Sequence, residues 1–81
     1  MPLHFFNLRS DIDVDDPDGV DLPDDAAARD FALENARDLV CADIKTGVLN
    51  LDHCIEVVGH DRALVMTISF RDAFEVRSRG G

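Results

Sequence analysis

Asp24-Asp25-Ala26-Ala27-Ala28-Arg29-Asp30-Phe31-Ala32-Leu33-Glu34-Asn35-Ala36-Arg37-Asp38-Leu39-Val40-Cys41-Ala42-Asp43-Ile44-Lys45-Thr46-Gly47 reads as one long helix, and the fold is built outward from it. Asp24 follows Pro23 and is placed to cap the first turn, while Asp25 puts negative charge at the positive end of the helix dipole. The alanine run has high helix propensity. Ala28, Phe31, Ala32, Leu39 and Ala42 recur at helical spacing, with Ala36 and Val40 beside them, and form an apolar side. Asp30, Glu34, Arg37, Asp38 and Cys41 lie opposite. Lys45 and then Gly47 close the helix. Small residues at 28, 32 and 36 suit a close approach to a sheet.

The flanking segments supply that sheet. Leu3 to Leu8 is short and aromatic and reads as a strand, with His4, Phe6 and Leu8 on one face and Leu3, Phe5 and Asn7 on the other. Asp16-Pro17-Asp18-Gly19 is a turn, because Pro presets φ, Asp bonds its own backbone and Gly accepts a positive φ. Val20 to Leu22 returns as a short strand. Beyond the helix, His53 to Val58 is a third strand with Ile55 and Val57 on one face. Gly59-His60-Asp61-Arg62 turns the chain into a fourth, where Leu64, Met66, Ile68 and Phe70 point inward and Val65, Thr67 and Ser69 outward. Arg71 to Val76 forms a short appendage and 77–81 a flexible tail, so residues 1–76 make one domain. The order is β-β-α-β-β, an α+β fold in which an antiparallel sheet carries one long helix on one face.

The chain has 81 residues, 17 acidic and eight basic side chains, and a formal charge of −9. A chain of this length buries only ~60% of its unfolded surface, so its core is small. Ser10 to Asp25 holds eight of the acids and no Lys or Arg, which concentrates nearly all the net charge in one tract. That balance argues against nucleic acid or an anionic membrane as a partner, since both reward clustered Lys and Arg. No apolar run approaches the ~20 residues of a membrane helix. The start lacks the basic region of a signal peptide, and two cysteines are too few for a disulfide scaffold, so a cytoplasmic location is expected.

The opening Met1-Pro2-Leu3-His4-Phe5-Phe6-Asn7-Leu8-Arg9, the segment Gly19-Val20-Asp21-Leu22-Pro23-Asp24 leading into an Ala-rich helix, and Ile55-Glu56-Val57 with the hairpin ending at Phe70 together resemble a family of small bacterial proteins classed only as a domain of unknown function. The resemblance covers nearly the whole chain. It implies a small α+β domain and supplies no activity.

Candidate chemistry is sparse. Asp11, Asp13 and Asp15 supply the first three alternating ligands of an EF-hand loop, but Asp16 stands where Gly is needed and Leu22 where Glu is needed. They are weak metal candidates beside the plainer reading of a solvated acidic loop that keeps a strand edge from pairing. His53, Cys54, His60 and Cys41 lack zinc-ligand spacing, and adjacent His53 and Cys54 should face opposite ways. No phosphate loop or nucleophile elbow is present, so neither catalysis nor a cofactor is expected. With one Phe toward the helix, Phe5 on the second face would need covering and would favour a homodimer. Phe5 and Asp21 are therefore the interaction candidates. The leading expectation is a non-enzymatic protein-interaction or accessory module that acts through the sheet face or edge as a homo-oligomer. An acidic regulator occupying a basic protein surface and weak divalent-cation binding by the Asp-rich loop are the alternatives. Asp24 and Asp25 serve the helix and Asp16 and Asp18 the turn. Asp11, Asp13, Asp15 and Asp21 are left without a structural role.

Overall fold

Asp24 caps the helix as its position predicts: its carboxylate accepts the Ala27 N–H at 2.8 Å, and Gly47 ends the helix with φ of 87°. In the computed structural model, which describes residues 2–79, this helix is α1 (Asp25–Thr46). It lies between two pairs of strands, β1 (Leu3–Arg9) and β2 (Val20–Asp21) before it, β3 (Cys54–Gly59) and β4 (Leu64–Ser69) after it. All neighbours are antiparallel, and the sheet order is β2-β1-β3-β4. The chain is thus an α+β fold of order β-β-α-β-β.

The helix lies across one face. The methyl groups of Ala28, Ala32 and Ala36 are fully buried, so the backbone of α1 sits close to the sheet. Ile55 and Val57 of β3 and Ile68 of β4 rise to meet it, and Phe6 and Leu8 of β1 flank this core. Phe6 also packs on Phe31 of the helix, with ring centroids 4.7 Å apart. The buried set on α1 departs from the expected one at two places: Leu33 is buried and Ala42 is exposed. Leu33 joins the same buried cluster as Phe70 and Ala73 of the C-terminal segment. Phe70–Asp72 forms a 3-10 turn in which Phe70 is among the most deeply buried side chains, and Ala73 is fully buried behind it. Arg37 donates from Nε to the Ala73 carbonyl at 2.6 Å and ties the helix to this turn. Within the expected appendage at 71–76, Ala73 is buried and Phe74 packs partly against the core while Val76 is 84% exposed, and β4 ends at Ser69, one residue before Phe70.

The β3–β4 hairpin corrects a second expectation. A register shift between Val57 and Val58 inserts Val65 as an extra residue in β4. A bulge of this kind breaks strict alternation. Val65 consequently packs against the core, while Leu64 is 58% exposed. Of the expected tail, residues 77–79 carry no regular structure, and residues 80 and 81 lie outside the described residues.

The tight helix–sheet approach gives a direct test. Ala32→Leu should cost about 1–3 kcal/mol by overpacking, read as a lower urea midpoint. Ala42→Leu, on the exposed side, should change stability by less than about 0.5 kcal/mol.

Candidate functional site

A four-stranded sheet has two edges, and this chain treats them differently. At the β1 side, residues 10–19 fold back along the strand. Leu8 and Val14 exchange both backbone hydrogen bonds, at 2.8 and 3.0 Å. Between that bridge and the short pairing with β2, the Phe6 N–H would point at water. Asp16 fills the gap: its Oδ2 accepts the Phe6 N–H at 3.2 Å, and its Oδ1 accepts the Asp18 and Gly19 N–H groups at 3.1 Å each. The Asp16 N–H in turn donates to Asn7 Oδ1 at 2.9 Å. Burial alone would raise the Asp16 carboxyl, but the hydrogen bonds from Gly19, Phe6 and Asp18 more than offset it and hold it below its ordinary value.

The other acids of the tract divide. Asp15 accepts from Arg9 Nη1 at 2.7 Å, while Arg9 Nε donates to Glu56 at 2.7 Å, so Asp15 has a structural partner that local spacing did not show. Asp11 reaches toward His53, 3.8 Å from its Nε2. Asp11, Asp13 and Asp15 are not drawn together: among the described residues no group of three or more His, Cys, Asp or Glu side chains is placed to hold an ion. His53 and Cys54 do face opposite ways. His53 packs edge-on to Phe70 in the core, with centroids 5.7 Å apart. The Cys54 thiol is pushed up by burial, with Glu56 and Asp13 adding to the effect and Arg9 opposing it. A raised thiol is a poorer nucleophile at neutral pH. Both cysteines are free, and Cys41 is exposed on the helix.

Phe5 lies on the face away from α1, opposite Phe6, but it is not exposed. It is 8% accessible. The Arg62 guanidinium carbon sits 4.7 Å from its ring centroid, a cation–π contact. Gly19 approaches the same ring so tightly that a Cβ there would lie 3.0 Å from it. The residue expected to need a second subunit is covered from within the chain. Asp21 is exposed in β2 and pairs with Leu3 across the ladder.

The far edge is β4, Leu64-Val65-Met66-Thr67-Ile68-Ser69. Phe70 N–H donates to the His53 carbonyl, which fixes the phase of the ladder. In an antiparallel pair, hydrogen-bonded residues alternate along the strand. Ile68 and Met66 therefore bond to β3, and the backbone groups of Thr67 and Ser69 point out of the sheet. No further strand lies beyond them among the described residues.

Because α1 packs chiefly on β3 and β4, the β1 side of the helix is left open. A cleft of about 240 Å³ runs there, floored by Phe6, Leu8 and Ile55 and walled by Leu39, Asn35 and Asp38 of α1. At the start of α1, His4 is buried with its Nε2 3.3 Å from Asp25, and its Nδ1 has no partner.

A family model described as a domain of unknown function, DUF6894, matches residues 3–71. The chain belongs to this family. The DUF6894 match takes in all four strands, the helix and both treatments of the sheet edge. It stops inside the 3-10 turn, before the Ala73 carbonyl that holds Arg37. No curated protein and no solved structure gives a significant match. Among the described residues no helix is long and apolar enough to cross a membrane.

Asp16 carries the closed edge, so Asp16→Asn should be costly. An amide can present only one oxygen and turns a donor toward N–H groups, which should destabilise the fold by about 1–3 kcal/mol. The pH dependence follows from the lowered carboxyl. Its contribution is fully present above the ordinary value of 3.8 and is lost as pH falls through the lower folded value. Urea midpoints of the native chain and Asp16→Asn should therefore differ most above pH 5 and converge toward pH 2.

Proposed function

We propose that this chain is a non-enzymatic protein-interaction module that adds its β4 edge to a β-strand of another chain, with a second copy of itself as the first partner. The observation that carries this reading is the chemistry of β4. In a protein that is 31% charged, the six residues of this edge strand include no charge and no proline. Folded proteins ordinarily protect an open edge with Lys, Pro, a covering segment or very short strands. Here the β1 side has such protection along its length, in the Val14 bridge, the Asp16 carboxylate and the stub of β2, whereas β4 has only the bulge at Val65 near its start, and among the described residues no strand covers Met66 to Ser69. Two copies joined antiparallel through β4 would form one continuous eight-stranded sheet with both helices on the same side. Main-chain hydrogen bonds would supply the affinity of such a joint, and the side chains of alternate residues its specificity. Two free thiols suit a reducing compartment such as the cytoplasm.

Thr67 offers a selective probe, because its N–H points out of the sheet and none of its backbone groups bonds to β3. Thr67→Pro should remove one donor from the edge while leaving the β3 ladder intact. Light scattering after size exclusion should show a dimer for the native chain at high micromolar concentration. Thr67→Pro and Thr67→Lys should be monomers with native circular dichroism. A native chain that stays strictly monomeric under these conditions would refute self-pairing.

A further inference from the structure

The cleft between α1 and β1 is a second surface, on the far side of the sheet from the free edge of β4, and the proposed pairing through β4 would leave it open. Its lining is Phe6, Leu8, Ile55 and Leu39, with Asn35 and Asp38 at the lip. The apolar surface continues outward. Val14 is the direct cross-strand partner of Leu8, so its side chain rises on the same face, and it is 53% exposed. Ile12, two residues before it, is 75% exposed. An apolar strip thus runs from the helix flank, over β1, to Val14.

The charge in the cleft lining is acidic. Asp38 is the ionisable group in the lining, and none of the eight Lys and Arg residues contributes to it. Glu34, one turn earlier on α1, lies on the same side of the helix as Asp38 and is exposed. The chain as a whole carries −9, which attracts cationic segments and raises their encounter rate. Asn35 places an amide at the lip, and an amide can both donate to and accept from a peptide backbone.

Size decides between a small molecule and a peptide. Pockets that enclose drug-sized ligands measure about 300–1,000 Å³ and bury most of the ligand. This cleft is smaller and open along its length, which suits one or two side chains projecting from a longer segment. We propose that the α1/β1 cleft docks a basic, hydrophobic peptide segment of a partner protein. A large apolar side chain seats between Phe6, Leu8, Leu39 and Ile55, and a neighbouring Lys or Arg reaches Asp38. Val14 extends the apolar contact beyond the cleft.

The test is an amide-resolved NMR titration of the full chain with three synthetic peptides that alternate Leu with Lys, Gln or Glu. The Lys peptide should shift Phe6, Leu8, Asn35, Leu39 and Ile55. It should bind about tenfold more tightly than the Gln peptide at low salt, with the Glu peptide weakest. The gap should close near 0.5 M salt, where screening is strong. Asp38→Asn alters an exposed side chain, so the fold should be kept. It should weaken the Lys peptide about three- to fivefold, the size of one exposed ion pair, and leave the Gln peptide unchanged. Equal affinity for all three peptides would overturn the proposal, as would no binding. Shifts centred on Asp11 to Asp15 would assign the attraction to the loop, and shifts along β4 would assign it to strand pairing. The same cleft shifts on simple concentration of the protein would make a second copy the occupant. Each of these results also overturns it.

Discussion

The carboxylate of Asp16 holds the structure's asymmetry in place. Three backbone N–H groups converge on it, from Phe6 in the strand and from Asp18 and Gly19 in the turn. One side chain therefore completes the turn and closes the gap in the β1 edge. A neutral residue could make either contact, but an ionised carboxylate has lone pairs for all three and makes stronger bonds to N–H donors than a neutral acceptor does. With that edge closed, Gly19 is drawn down onto Phe5 on the second face of the sheet. What remains uncovered is the backbone of β4.

The position of the helix follows from a different constraint. An alanine row permits close approach, but it does not say which strands will be approached. Arg37 bonded to Ala73, with Phe70 and Leu33 buried nearby, draws α1 over β3 and β4. The cleft beside β1 is the space this leaves. The two open surfaces thus have separate origins. One is an edge that lacks a next strand, and the other is a flank that lacks a second helix.

Much of this was legible in the sequence, and the parts that were not share a cause. Asp24, Gly47, the alternating faces of β1 and β3, and the element order β-β-α-β-β follow from spacing and capping, which are local, whereas the strand order within the sheet does not. Leu33 is buried in one cluster with Phe70 and Ala73 while Ala42 is exposed, a long-range packing that helical spacing alone does not show. Leu64 and Val65 departed from alternation because a bulge shifts the hairpin register. The acid tract was the least legible segment. Asp-Pro-Asp-Gly announces a turn in any context, and nothing local shows that the first carboxylate also reaches a strand N–H ten residues earlier. Asp15 likewise meets Arg9 only after the loop has folded back. Phe5 looked like an exposed platform because its cover comes from Arg62, far along the chain. The family match adds the extent of the domain and assigns it no activity.

Hydrogen exchange of individual backbone amides compares the two edges most directly. The Phe6 N–H, bonded to Asp16, should be protected at every protein concentration. The Thr67 and Ser69 N–H groups should exchange quickly in dilute solution and gain protection as concentration rises and β4 pairs. Rapid exchange of Thr67 and Ser69 at all concentrations, or a Phe6 amide no slower than theirs, would contradict a sheet that is closed at β1 and joined at β4.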